Sequence, residues 1–225
     1  MNRFFVDDVG GDRIVLPRPI VHQVTRVLRL RDGDELILLD GRGAQARCRL
    51  DGEDCVVVAR GVASGEPMHR LTVCQALIKG DRLEQVVQHG TEIGVAAFQL
   101  IITERCVVRE LSDRRLERLR TIAREAAEQS ERGIVPPVHE PVRLADVLRP
   151  GVALLYERDS ATRLSMIDPP PSVAIGPEGG FSKDEMAQAL AAGAQIVGLG
   201  PRILRSESVA LAAAAVILSR SGDFA

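Results

Sequence analysis

The most constraining stretch of this sequence lies near its end. Between Ser172 and Leu218 two short apolar runs are each followed by a glycine-bearing loop and then by a helical pattern. Ser172–Ile175 and Ala194–Val197 have the length of buried strands. The loops are Gly176-Pro-Glu-Gly-Gly180 and Gly198-Leu-Gly200-Pro-Arg-Ile-Leu-Arg205. After the first loop, Ser182 with Glu185 spells a capping box, Phe181 and Met186 flank it as a staple, and Gly193 is placed to stop the helix. Two such units side by side put two flexible backbones at the carboxyl edge of a sheet, where open α/β sheets bind ligands. A tight turn in an ordinary α/β fold explains one such loop. Two, with the second ending in the charged run Arg202–Glu207, point to a ligand site.

The ligand is not read as a cradled phosphate. No G-x-x-x-x-G-K-[ST] string is present, and the dinucleotide pattern fails at its third glycine, where Ile203 stands.

Composition narrows the class. With 225 residues the chain has room for one large domain, or a small one plus a medium one. No run reaches the ~18 apolar residues of a membrane span. The opening Met1-Asn-Arg-Phe-Phe-Val-Asp-Asp is acidic where a signal peptide is apolar, which predicts a cytoplasmic protein. Cys48, Cys55, Cys74 and Cys106 are widely spaced and read as small buried hydrophobes, and the scattered histidines suggest no metal site. All basic residues except Lys79 and Lys183 are arginine, suited to phosphate contacts and base stacking, although genome composition explains the same bias.

Along the chain, the first 66 residues read as short strands with tight turns, a small β-barrel. Ala44, Ala46, Cys48 and Leu50 alternate with Gln45, Arg47 and Arg49, a half-buried strand with a basic outer face. One helix interrupts, with Ile20, Val24, Val27 and Leu28 on one face. Ser64-Gly-Glu-Pro67 is a linker. Beyond it, strands at Leu71–Leu77, Phe98–Ile102 and Val152–Tyr156 alternate with helices capped by Asp81 and Ser112 and a short helix at Leu144–Leu148, the pattern of a parallel α/β sheet.

The loop sequences carry a resemblance. Gly176–Gly180 and Leu199–Ala210 are similar to the G-P-E-G-G and L-G-x-R-[IV]-L-R-x-E-[TS]-A signatures of the RsmE family of SPOUT RNA methyltransferases, with Val209 as an extra residue. His22–Asp34, Lys79–Arg82, Glu92–Val95 and Glu128–Arg132 match further segments of that family in the same order. The resemblance implies a PUA-like RNA-binding domain over 1–66 and a SPOUT domain over 70–225 with a deep trefoil knot. It also implies S-adenosylmethionine as cofactor, N3 of a uridine in 16S ribosomal RNA as acceptor, the small ribosomal subunit as partner, and a homodimer. Gly176, Glu178, Gly179, Gly180, Leu199, Gly200, Ile203 and Leu204 are the expected cofactor residues. Arg205, Glu207 and Arg132 are the expected catalytic ones, with Glu207 orienting Arg202 or Arg205. His22, Arg26, Arg29, Lys79 and Arg82 are expected at the RNA, where a solvated helix edge is the other reading of Arg26 and Arg29. Gln88 and Glu92 share a helix face, either toward substrate or as a structural pair. Val209–Leu218 is apolar for ten residues, so its helix calls for cover on every side, from a partner as well as the core. The rival function is a non-catalytic RNA-binding assembly factor, which cofactor binding would separate from an enzyme. A Rossmann-type nucleotide enzyme is disfavoured by the missing fingerprints.

Overall fold

The computed structural model describes residues 1–156 and 162–224. The chain divides into two compact units, Met1–Glu66 with Ala127–Val135, and Pro67–Ala126 with Pro136–Ala225. A boundary drawn once at Glu66 does not contain the return of Ala127–Val135 to the first unit.

The first unit is built on β1 (Arg3–Phe5), β2 (Arg13–Val15), β3 (Glu35–Leu39), β4 (Ala44–Asp51) and β5 (Asp54–Val62), in the order β1-β3-β4-β5-β2. Only β1 and β3 pair in parallel. Phe4 and Ile14 on the two edge strands share one core with Leu36, Leu38, Cys48 and Cys55, so the sheet is curled around its own interior. The alternation along β4 sends Ala46, Cys48 and Leu50 inward and leaves Arg47 and Arg49 outside beside Glu35. Helix α1 (Arg18–His22) continues into a π-helical turn at Gln23–Val27. The wider turn shifts the phase of the side chains. Val24 is fully buried, but Val27 and Leu28, expected on the same face, are exposed.

The second unit carries a six-stranded sheet, parallel throughout. In chain order it has β6 (Thr72–Ala76), α2 (Arg82–Ile93), β7 (Ala97–Ile102), α3 (Asp113–Gln129, whose last turn belongs to the first unit), β8 (Val138–Arg143), α4 (Leu144–Val147), β9 (Val152–Leu155), β10 (Ser172–Ile175), α5 (Lys183–Ala191), β11 (Gln195–Val197) and α6 (Ser206–Arg220). The strand order is β11-β9-β10-β6-β7-β8. Strand β8 has no apolar alternation to betray it. It is an edge strand with Pro141 in it, the position where proline is tolerated. The capping box of α5 is present: Glu185 N–H donates to Ser182 Oγ at 3.1 Å and Ser182 N–H to Glu185 Oε2 at 2.8 Å. Asp81 stands at the N-cap of α2 without a side-chain cap bond. Helix α6 packs on α2 and on the sheet through Ala210, Ala213, Ala214, Ile217 and Leu218, while Leu211 is 39% exposed and Val209, Ala212, Ala215 and Val216 are half-covered.

Candidate active site

Strands β11, β9 and β10 lie side by side and run the same way, so their carboxyl ends form one edge. The two glycine loops leave from β10 and β11 at that edge. Between them is a cavity of about 400 Å³, within the range of small-molecule sites. Gly176, Glu178 and Gly180 of the first loop line it, with Leu199, Gly200, Ile203, Leu204 and Arg205 of the second. Leu155 and Tyr156 line it from the end of β9, and Ser206, Val209 and Arg82 complete the wall. Gly179 and Glu207 do not line it.

The two loops are held very differently. In the first, Gly180 N–H closes a turn onto the Pro177 carbonyl at 2.9 Å. A Cβ on Gly176 would sit 3.3 Å from the Gly180 backbone and from the Phe181 ring, so a side chain there would press on the fold of the loop. Arg105 Nη1 donates to the Gly179 carbonyl at 3.0 Å. Glu178 Oε1 accepts from Lys79 N–H at 3.1 Å and from Arg82 Nη1 at 3.3 Å. In the second loop, among the described residues, the backbone from Leu199 to Leu204 makes no hydrogen bond. Gly200 has φ of +156°, a region nearly closed to residues with a Cβ, although a Cβ there would meet nothing within 4 Å. Ile203 is 74% exposed at the cavity.

Charge follows the same division. Arg202 and Arg205 are exposed and, among the described residues, neither side chain has a hydrogen-bond or ion-pair partner. Glu207 does not orient them. Its Oε1 lies 3.8 Å from Arg82 Nε, and its Oε2 is buried with no hydrogen-bond partner. The reason is direction: Glu207 is already in the first turn of α6 and faces α2, while the loop arginines precede the helix. Beneath the cavity a neutral relay ties the pieces together. Gln75 on β6, fully buried, donates to Ser206 Oγ at 2.9 Å, and Ser206 Oγ donates to the Gly176 carbonyl at 2.7 Å.

Arg132 belongs to the first unit and is 4% exposed. Its guanidinium is gripped by Glu66, Nε to Oε1 at 3.2 Å and Nη2 to Oε2 at 2.6 Å. Oε1 also accepts from Gly133 and Ile134 N–H, both at 3.1 Å. The catalytic expectation for Arg132 therefore meets a side chain spent on bracing the chain turn. Glu128 is likewise engaged, accepting from Phe5 N–H. His22, Arg26 and Arg29 are exposed in the same unit, and the two arginines make no ion pair among the described residues. Gln88 donates to Glu92 at 3.1 Å, the structural pair rather than a free face. No group of three metal-ligating side chains occurs among the described residues, and no helix there is long and apolar enough to cross a membrane. Tyr156 went unread in the sequence because only the strand order puts β9 beside β10; its one signal was a polar aromatic closing an apolar run.

Similarity to known proteins accords with this geometry. The family described as RNA methyltransferase domain matches residues 65–218, and the RNA methyltransferase PUA domain matches residues 16–58. The chain is 35% identical to the ribosomal RNA small subunit methyltransferase E of Synechocystis, over 91% of this chain and 72% of that protein, and 32% identical to that of Bacillus subtilis, over 88% and 86%. Among solved structures, the Neisseria gonorrhoeae methyltransferase E bound to S-adenosyl methionine superposes with a TM-score of 0.87 at 32% identity, covering 97% of each chain. A Legionella pneumophila putative methyltransferase in complex with the same cofactor gives 0.81 at 29%, covering 96% of each. The parallel sheet with its paired glycine loops, the curled N-terminal sheet and these matches along nearly the whole length place the chain in the ribosomal RNA small subunit methyltransferase E family.

Proposed function

We propose that this chain transfers the methyl group of S-adenosylmethionine to N3 of a uridine in 16S ribosomal RNA. The observation that carries the reading is the cavity between the two glycine loops in a chain whose relative of 32% identity holds that cofactor. The residues fit it. Leu155, Ile203 and Leu204 offer apolar surface for an adenine, and the backbone of Leu199–Leu204, unbonded among the described residues, offers donors and acceptors for its edges. When bound, the cofactor supplies an electrophilic methyl on a sulfonium. The chain's part is to align the acceptor, exclude water and steady charge. A uracil N3 is a poor nucleophile until its proton leaves, and negative charge then spreads to the flanking carbonyl oxygens. Arg205, uncommitted at the cavity wall, is the cation that stabilises that anion. Arg26, Arg29, His22 and Lys79 hold RNA phosphate.

The active form is a homodimer. The half-covered side of α6, with Leu211 and Val216, and the exposed Ile203 are the apolar surface a second copy would cover. Light scattering at micromolar concentration checks it, and a fully active monomer would contradict it. The trefoil knot belongs to the same proposal: Gly198 N–H donates to the Thr162 carbonyl and its carbonyl accepts from Leu164 N–H, both at 2.9 Å, so the second loop starts against the segment that follows β9. A crystallographic chain trace tests it. The site of action is the cytoplasm, where the ribosomal subunits are. Labelled S-adenosylmethionine with small ribosomal subunits should yield labelled 3-methyluridine. No transfer, or label in another nucleoside, would overturn the assignment.

A further inference from the structure

We infer that Arg82 is a positioning residue that sets the separation of the two cofactor loops, rather than an RNA contact. This rests on the cofactor reading above. Arg82 opens α2, outside both loops, yet its guanidinium addresses a carboxylate belonging to each side of the cavity. Nη1 donates to Glu178 of the first loop at 3.3 Å, and Nε lies 3.8 Å from Glu207, two residues beyond the second loop. A guanidinium can do this because its nitrogens point along separate, fixed directions. An ammonium is a single point and cannot hold both carboxylates in the same way.

Without Arg82 the balance reverses. Glu207 is 13% exposed and its other oxygen is already buried without a partner. Arg82 is the one cation paired with Glu207 among the described residues, and deleting it leaves that carboxylate uncompensated. Glu178 and Glu207 then face each other as like charges, and the least costly relief is for the second loop to move out, since its backbone is tied by no hydrogen bond of its own among the described residues. The cavity would widen at the wall that Leu199, Ile203 and Leu204 form.

The test is calorimetric binding of S-adenosylmethionine to the full chain without RNA. Arg82→Ala should weaken binding about tenfold, and Arg82→Lys should recover part of it. In a double-mutant cycle, Glu207→Gln should cost affinity when Arg82 is present and restore part of it when Arg82 is absent. Unchanged cofactor affinity in Arg82→Ala, with RNA affinity lowered, would return Arg82 to the RNA and overturn the inference. So would additive effects in the cycle, or recovery by Arg82→Lys no better than alanine. If Arg82→Ala does not fold, Glu178→Gln and Glu207→Gln decide alone, and wild-type affinity in both would overturn it. Absence of binding by the wild-type chain would instead defeat the cofactor reading itself.

Discussion

Arg132 and Arg205 were both candidates for chemistry, and the structure treats them oppositely. Arg132 sits against a carboxylate whose two oxygens take four donors, its own two and two backbone N–H groups. Arg205 stands exposed at a cavity with no partner among the described residues. A closed set of bonds holds the chain in one shape and leaves nothing for a substrate. An open set contributes little to stability and leaves its full capacity for a ligand. The second loop shares this openness: among the described residues Arg202 is unpaired and the Leu199–Leu204 backbone is unbonded, and Glu207 just beyond keeps an orphan oxygen.

Breaking the closed side should have the largest effect on stability. Glu66→Ala leaves the buried Arg132 without its counter-charge and two N–H groups without an acceptor, and should lower unfolding free energy by about 3–5 kcal/mol in denaturant titration. Arg132→Ala should do much the same. Lost turnover at unchanged stability would instead make Arg132 catalytic.

On the open side the pattern inverts. Arg205→Ala should change stability by no more than about 0.5 kcal/mol, as at an unpartnered surface site. Turnover should fall about a hundredfold, partly restored as rising pH deprotonates the acceptor. Loss of cofactor affinity and melting temperature together would show that Arg205 braces the loop. Ser206→Ala probes the neutral tie beneath the cavity. It strips the Gly176 carbonyl of its partner and leaves the Gln75 amide only its bond to the Ala76 carbonyl, for about 1–3 kcal/mol in thermal unfolding.

The smallest effect comes from a second closed carboxylate, in the first unit. Burial pushes the Asp40 carboxyl up, but Arg42 and Ala44 N–H and the Arg42 guanidinium outweigh that and hold it below its ordinary 3.8. Since the folded value is the lower one, Asp40 stabilises the fold above pH ~4 and loses that contribution as pH falls through its folded value. Asp40→Asn should flatten the acid limb of a stability–pH profile and little else.

Some of this was legible in residue order because it depends on neighbours in the chain. Ser172–Ile175 reads as a strand because it is short, apolar and bounded by glycine, and Ser182 with Glu185 announces a helix start on its own. The two loops are visible as glycine runs. The pairing of Arg82 with Glu207 spans 125 positions and has no local sign. The same holds for Glu66 and Arg132, which sit in what reads as a linker and a helix stop. Val27 was misplaced because a helical period assumes an α turn and the chain makes a π turn. Gly200 is visible as a loop glycine, but its backbone angle of +156°, in an open space, has no sign in the residue order.

The return of Ala127–Val135 to the first unit also sets an order of events during synthesis. When residue 66 has left the ribosome, Phe5 and Leu39 still lack Ala127, and Gly133 and Ile134 have not yet reached Glu66. The intervening sixty residues, which carry β6, α2, β7 and most of α3, must be made before the first unit can close. Residues 1–66 expressed alone would therefore be an unfinished core rather than a free-standing module. A nascent chain stalled just short of residue 135 should remain open to protease in its first strands, and one stalled well beyond it should not.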